Sequence, residues 1–168
     1  MLESARGAAL LVATLASGLI AGLFYAYACS VMPGLHGADD RTVVEAMQRI
    51  NVAILNGWFF ATFLGAPLLI MLAGILHLVG GGGARTLPWI VAGFVGIAVM
   101  WVITVTVNVP LNDALVAAGA PERAVDLPAV RAAFEATWVH WNIARAVAGT
   151  AGFGCLLWAL VQYGRATG

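Results

Sequence analysis

Four stretches of this chain contain no Asp, Glu, Lys or Arg: residues 7–35, 50–84, 86–112 and 146–164. Each is close to or longer than the roughly 20 apolar residues that cross a bilayer as a helix. Backbone polar groups in hydrocarbon must be paired within their own segment, so apolar runs of this length form helices. Composition argues the same way: 62% of the residues are hydrophobic and 10% charged, against about 25% charged in an ordinary soluble protein. The expected fold class is all-α, an integral membrane four-helix bundle in a single domain. Its helices are expected at about 7–30, 43–79, 87–109 and 128–164.

The breaks between them follow from local chemistry. "MPGLHGADD" should end the first helix at Pro33, Gly34 and Gly37. "GGGG" at 80–83 makes a tight turn, and Pro110 in "NVPLNDAL" should end or kink the third helix. Pro128 fits the first turn of the last one. Arg6 followed by an apolar run resembles a signal peptide, but the run reaches Leu35, too long for such a segment, and reads as a retained transmembrane helix.

Four spans would place both termini on one side of the membrane. That side carries Arg6, Arg85 and Arg165 on short segments; Arg41, Arg49, Arg123, Arg131 and Arg145 fall towards the other. The higher Arg density of the terminal side points to termini in the cytoplasm and residence in the cell membrane. A formal net charge of zero leaves no basic surface for nucleic acid. Cys29 and Cys155 stand in apolar runs without metal or disulfide spacing. Thr14, Gly18, Gly22 and Ala26 recur every four residues on helix one. Such a small-residue stripe serves either internal packing or a homo-oligomer through Gly18 and Gly22.

Polar residues gather at one end of the bundle. On helix four, Glu135, Trp138, Asn142, Arg145, Gly149 and Gly152 step by three and four, which places them on one face. His140 points away and Trp141 flanks the stripe. Helix two supplies Glu45, Arg49, Asn56 and Phe60 on one stripe, with Gln48, Asn51, Leu55 and Trp58 on another. Helix three brings Trp101, Thr104, Asn108 and Asn112 into line beside Asp113, and helix one ends with Tyr25, Tyr27, Cys29 and Ser30. Arg145 stands about 30 Å of helix from Arg165 at 1.5 Å per residue, one bilayer core away. Interfacial aromatic belts and snorkelling Arg account for some of these residues. Amides, Arg and Glu together at one bundle end are costly without partners, and point to a polar pocket there.

No di-iron, zinc or nucleophile motif is present. His36 and His140 share a face and form the alternative, a haem, copper or iron site. The remaining inventory is a guanidinium, amides and aromatic rings at the lipid boundary. It suits a planar, apolar molecule bearing a carbonyl or phenolate: Arg and Asn hold oxyanion charge and Trp stacks on rings. The competing possibility is a non-enzymatic protein that binds lipid or quinone.

"SGLIAGLFYAYACSVMPGL", "AMQRINVAILN", "NVPLNDAL" and "WVHWNIAR" together resemble the small four-helix membrane proteins that include the anthrone oxygenases. The matching positions are Pro33, Arg49, Asn51, Asn56, Asn108, Pro110, Asn112, Trp138, Trp141, Asn142 and Arg145. The resemblance implies oxidation of an anthrone-like substrate with O2 as co-substrate and without metal or flavin. It implies Arg145 stabilising the phenolate or superoxide, Asn142 and Asn108 orienting the carbonyl, and His140, His36 or Glu135 taking the proton. Trp138, Trp141, Asn112, Asn51, Asn56, Arg49 and Tyr25 would surround the substrate.

Overall fold

The structure is a computed structural model and describes residues 2–80, 83–121 and 126–167. The middle of the glycine turn and Arg123 lie outside the described residues. Among the described residues four helices are long and apolar enough to cross a membrane: Leu2–His36, Gly57–Val79, Leu87–Ala117 and Leu127–Thr167. The termini meet at one end of the bundle, where the Tyr163 hydroxyl donates to the Glu3 carbonyl at 2.6 Å.

Helix one does not stop at its proline. It runs as α1 (Leu2–Ala26), a π turn (Tyr27–Val31) and α2 (Met32–His36), with Pro33 in the first turn of α2. Helix three repeats the arrangement as α6 (Leu87–Ile103), a π turn (Thr104–Asn108) and α7 (Val109–Ala117), with Pro110 in the first turn of α7. A proline lacks the N–H and collides with the carbonyl four residues back. A wider π turn just ahead of it shifts that pairing by one residue and lets the helix continue. The expected ends near residues 30 and 109 are therefore corrected to His36 and Ala117.

Helix two departs in the opposite sense. The expected single helix 43–79 divides into α3 (Asp40–Ala53), α4 (Gly57–Phe63) and α5 (Gly65–Val79). Asn56 is extended at φ −128° and ψ 168°, and its side-chain oxygen accepts from the N–H groups of Trp58 and Phe59 at 3.0 and 3.1 Å. Its amide nitrogen donates to the Ala53 carbonyl at 2.8 Å. One asparagine thus ends α3 and caps α4, because its side chain competes with the backbone for helical hydrogen bonds.

The last helix is continuous as α8 (Leu127–Thr167) over 41 residues. At 1.5 Å per residue it measures about 60 Å, roughly twice a bilayer core. Its outer half is covered by α2, α3 and α7 around Met32, Val44, Met47, Leu115, Phe134 and Trp138. The inner half packs in a second cluster with Leu10, Ile20, Ile70, Ile97, Met100 and Leu156. Asp40, Arg41, Glu45 and Arg49 on α3 require the outer layer to stand outside the hydrocarbon. In the inner layer α6 and α8 touch backbone to backbone: a Cβ at Gly96 would fall 2.7 Å from the Gly152 Cα and 2.8 Å from the Ala148 carbonyl oxygen. Only glycine permits that approach. Gly18 of the small-residue stripe lies against the Phe153 ring, while Gly22 faces open space.

Candidate functional site

A cavity of about 620 Å³ lies where the two layers meet. Its walls come from the irregular points of the fold: Phe24 and Tyr27 at the first π turn, Thr104 at the second, and Asn51, Ile54 and Leu55 at the break in helix two. Phe59, Phe60 and Phe63 of α4 form one side, and Asn112, Asp113 and Val116 of α7 another. Trp138 and Arg145 of α8 complete it.

Arg145 is the electrostatic centre, 4% exposed. Its Nε donates to Asn142 Oδ1 at 3.0 Å and its Nη1 to Thr104 Oγ1 at 3.3 Å. The Thr104 hydroxyl spends its own proton on the Met100 carbonyl at 2.8 Å, leaving oxygen lone pairs for the guanidinium. The Arg145 Cζ stands 4.0 Å from the Phe24 ring centroid and 5.1 Å from that of Trp138. Among the described residues no carboxylate pairs with it. Desolvating a cation costs several kcal/mol, whereas each ring contact returns about 0.5–2 kcal/mol and a neutral hydrogen bond about 1. These partners hold the charge in place without neutralising it.

Asn142, fully buried, orients this cation by accepting from it while donating to the Phe24 carbonyl at 3.2 Å. Trp138 is fixed through its indole N–H to Asn112 Oδ1 at 2.7 Å, and its ring lies 5.7 Å from Tyr27. Asn108 is also fully buried and donates to the Trp138 carbonyl at 3.2 Å, while its Oδ1 has no partner. The Asn51 side-chain nitrogen, on the cavity wall, is buried and unpartnered as well.

Other sequence candidates go elsewhere. His36 Nδ1 meets Glu135 Oε1 at 3.1 Å, and Glu135 also binds Arg131. Arg131 in turn reaches Asp40 Oδ1 at 3.0 Å and the carbonyls of Ala38 and His36 at 2.8 and 2.9 Å. Glu135 and His36 therefore belong to a clamp that fastens the α2–α3 turn to α8. His140 is exposed, edge-on to Trp141 with ring centroids 5.9 Å apart, and neither lines the cavity. Arg49 pairs with Glu45 at 2.6 Å on the outer face of α3. Tyr25 is exposed, and Asn56 is spent on capping. The contacts of His36 are with Glu135 and those of His140 with Trp141, and among the described residues no three of His, Cys, Asp and Glu converge. Tyr27, Phe60, Thr104 and Asp113, which the sequence gathers at the polar end without a role, line the cavity together with Phe24, Phe59 and Phe63, which carry no polar signal in the sequence.

A family model described as anthrone oxygenase matches residues 58–155, more than half of the chain. The chain belongs to the anthrone oxygenase family. The match includes Thr104, Asn108, Asn112, Trp138, Asn142 and Arg145; α1 and α3, which bring Phe24 and Asn51, lie outside it. Searches among curated proteins and solved structures found no match. Membership in the anthrone oxygenase family supports an oxygenase-like role at family level. Within it, this member sets a guanidinium without a carboxylate partner among the described residues in the wall of an aromatic cavity.

Proposed function

We propose that this protein is a membrane-embedded oxygenase that converts a planar, phenolic, anthrone-like substrate to a quinone with O2. The observation that carries the proposal is Arg145, buried without a carboxylate partner among the described residues and lining an aromatic cavity. A ring system lies between Phe59, Phe63 and Trp138, and its oxygen points to the Arg145 guanidinium. Loss of a proton from the substrate's acidic methylene leaves an anion delocalised onto that oxygen, and Arg145 stabilises it. The electron-rich carbon forms a C–O bond with O2; the hydroperoxide then eliminates water to give the new carbonyl. One O2 is consumed, one oxygen atom enters the product and the other leaves as water. The chemistry draws its electrons from the substrate and asks no metal or flavin of the protein. Thr104 and Asn142 keep the guanidinium aimed, and Asn51 and Asn112 offer amides to a second substrate oxygen.

The Val52, Leu55 and Trp58 side chains around the α3–α4 break are strongly exposed and apolar, so the substrate reaches the cavity from the bilayer. We place the protein in the cell membrane with cytoplasmic termini, following the Arg density. Any homo-oligomer would use the open Gly22 face of α1. The same exposed apolar rim favours one second function, binding of a lipid or quinone without turnover. Membranes containing the wild type, Arg145→Ala or Asn142→Ala separate the two when supplied with an anthrone in air. The oxygenase produces quinone and consumes O2, and both variants do so more slowly, Arg145→Ala by the larger factor. Full activity in both variants rejects the role of Arg145, and wild-type binding without O2 uptake selects the non-enzymatic function.

A further inference from the structure

The oxygenase proposal requires a base, and the histidines and Glu135 do not line the cavity. Glu135 and Asp40 are held by Arg131, and Glu45 by Arg49. Asp39 and Asp126 accept from backbone N–H groups at helix starts, those of Thr42 and Ala129. Glu3 lines a separate pocket at the terminal end. Asp113 alone of the described carboxylates lines the central cavity, and no hydrogen bond or ion pair engages it.

We propose that the Asp113 carboxylate takes the acidic proton of the substrate, while Arg145 holds the oxygen that receives the resulting charge. This inference rests on the oxygenase proposal and supplies its base. Thr104, which contacts Arg145, and Asp113 lie nine residues apart along the same transmembrane helix, a π turn and the start of α7, an axial separation on the order of 10 Å. The two charged groups therefore address opposite edges of a bound ring system, oxygen at Arg145 and acidic carbon at Asp113. In the step, the substrate C–H bond breaks and its electron pair enters the ring system, with charge developing on the oxygen at Arg145. The proton forms an O–H bond on Asp113. Asp113 is exposed, so that proton passes on to water and the carboxylate is regenerated. Asn51 and Asn112 have no comparable basicity, and the Tyr27 phenol is at neutral pH a donor.

Anaerobic hydrogen–deuterium exchange at the methylene of anthrone isolates this step from oxygenation. With the full chain in membranes in D2O, the wild type should exchange the methylene faster than protein-free membranes. Asp113→Asn should lower the protein-dependent rate by about 100-fold or more, and Asp113→Glu should recover part of it. Quenching of tryptophan fluorescence by anthrone should persist in Asp113→Asn, showing an intact, occupied cavity. Wild-type exchange no faster than the control, or undiminished exchange in Asp113→Asn, overturns the assignment of the base. Asp113-dependent exchange without quinone formation in air upholds the base and overturns the oxygenase proposal.

Discussion

Arg131 and Arg145 stand on the same helix and both are withdrawn from solvent, yet their surroundings are opposite. Arg131 is matched by two carboxylates and two carbonyls contributed by the α2–α3 turn and its own helix. Arg145 is met by an amide, a hydroxyl and two aromatic rings. A cation whose charge is balanced fastens elements together and has nothing left to offer a ligand. A cation held by neutral groups keeps its field, and in a low-dielectric cavity that field is felt strongly by a developing oxyanion. The comparison separates fastening from chemistry within one helix.

Substitutions can break that comparison, and the largest effect belongs to the unbalanced cation. Arg145→Gln should lower kcat for anthrone oxidation by about 100- to 1000-fold, measured as quinone formation, while the helical content stays unchanged. Asn142→Ala should cost about 10-fold in activity and about 1–3 kcal/mol in stability, since it strands the Phe24 carbonyl and the Arg145 Nε. If activity falls only in proportion to folded protein, Asn142 merely locks the bundle. Arg131→Gln should do the reverse, lowering thermal stability by about 1 kcal/mol and leaving kcat of the folded fraction intact. A loss of kcat there would erase the distinction drawn between the two arginines.

The smallest effect lies at the turn that Arg131 fastens. Asp39 caps α3, and its hydrogen bonds from the Thr42 hydroxyl and N–H hold its carboxyl below the usual carboxylate range. A carboxyl lowered in the folded state stabilises above its unfolded pKa, and that stabilisation is lost as pH falls through the folded value. Unfolding of Asp39→Asn should therefore depend less on pH in the acid range than that of the wild type, followed by circular dichroism in detergent.

Individual residues show how far local pattern reaches. Trp138, Asn142, Arg145, Gly149 and Gly152 share a buried face of α8, as their three- and four-residue spacing requires in an unbroken helix. On helix two the stripe holds within α3, where Arg49 pairs with Glu45 at four-residue spacing on the surface and Asn51 reaches the cavity wall, but it does not carry past Asn56, which caps α4 instead of continuing the face. Spacing cannot foretell that an asparagine will cap rather than continue a helix, because both uses satisfy the same backbone groups. Glu135 keeps the expected register but is claimed by Arg131 and His36, partners far apart in sequence or on the neighbouring turn.

By itself the sequence determined the all-α membrane bundle, the inward face of the last helix and the end at which polar groups collect. Those follow from apolar length and helical period, which are local properties of the chain. Tertiary structure decided that helix two breaks, that two prolines are absorbed by π turns, and that Asp113 lines the cavity while His36, His140 and Glu135 do not. Each of those outcomes depends on which carbonyl, carboxylate or ring stands across the interface, and partners of that kind are chosen only when the helices pack.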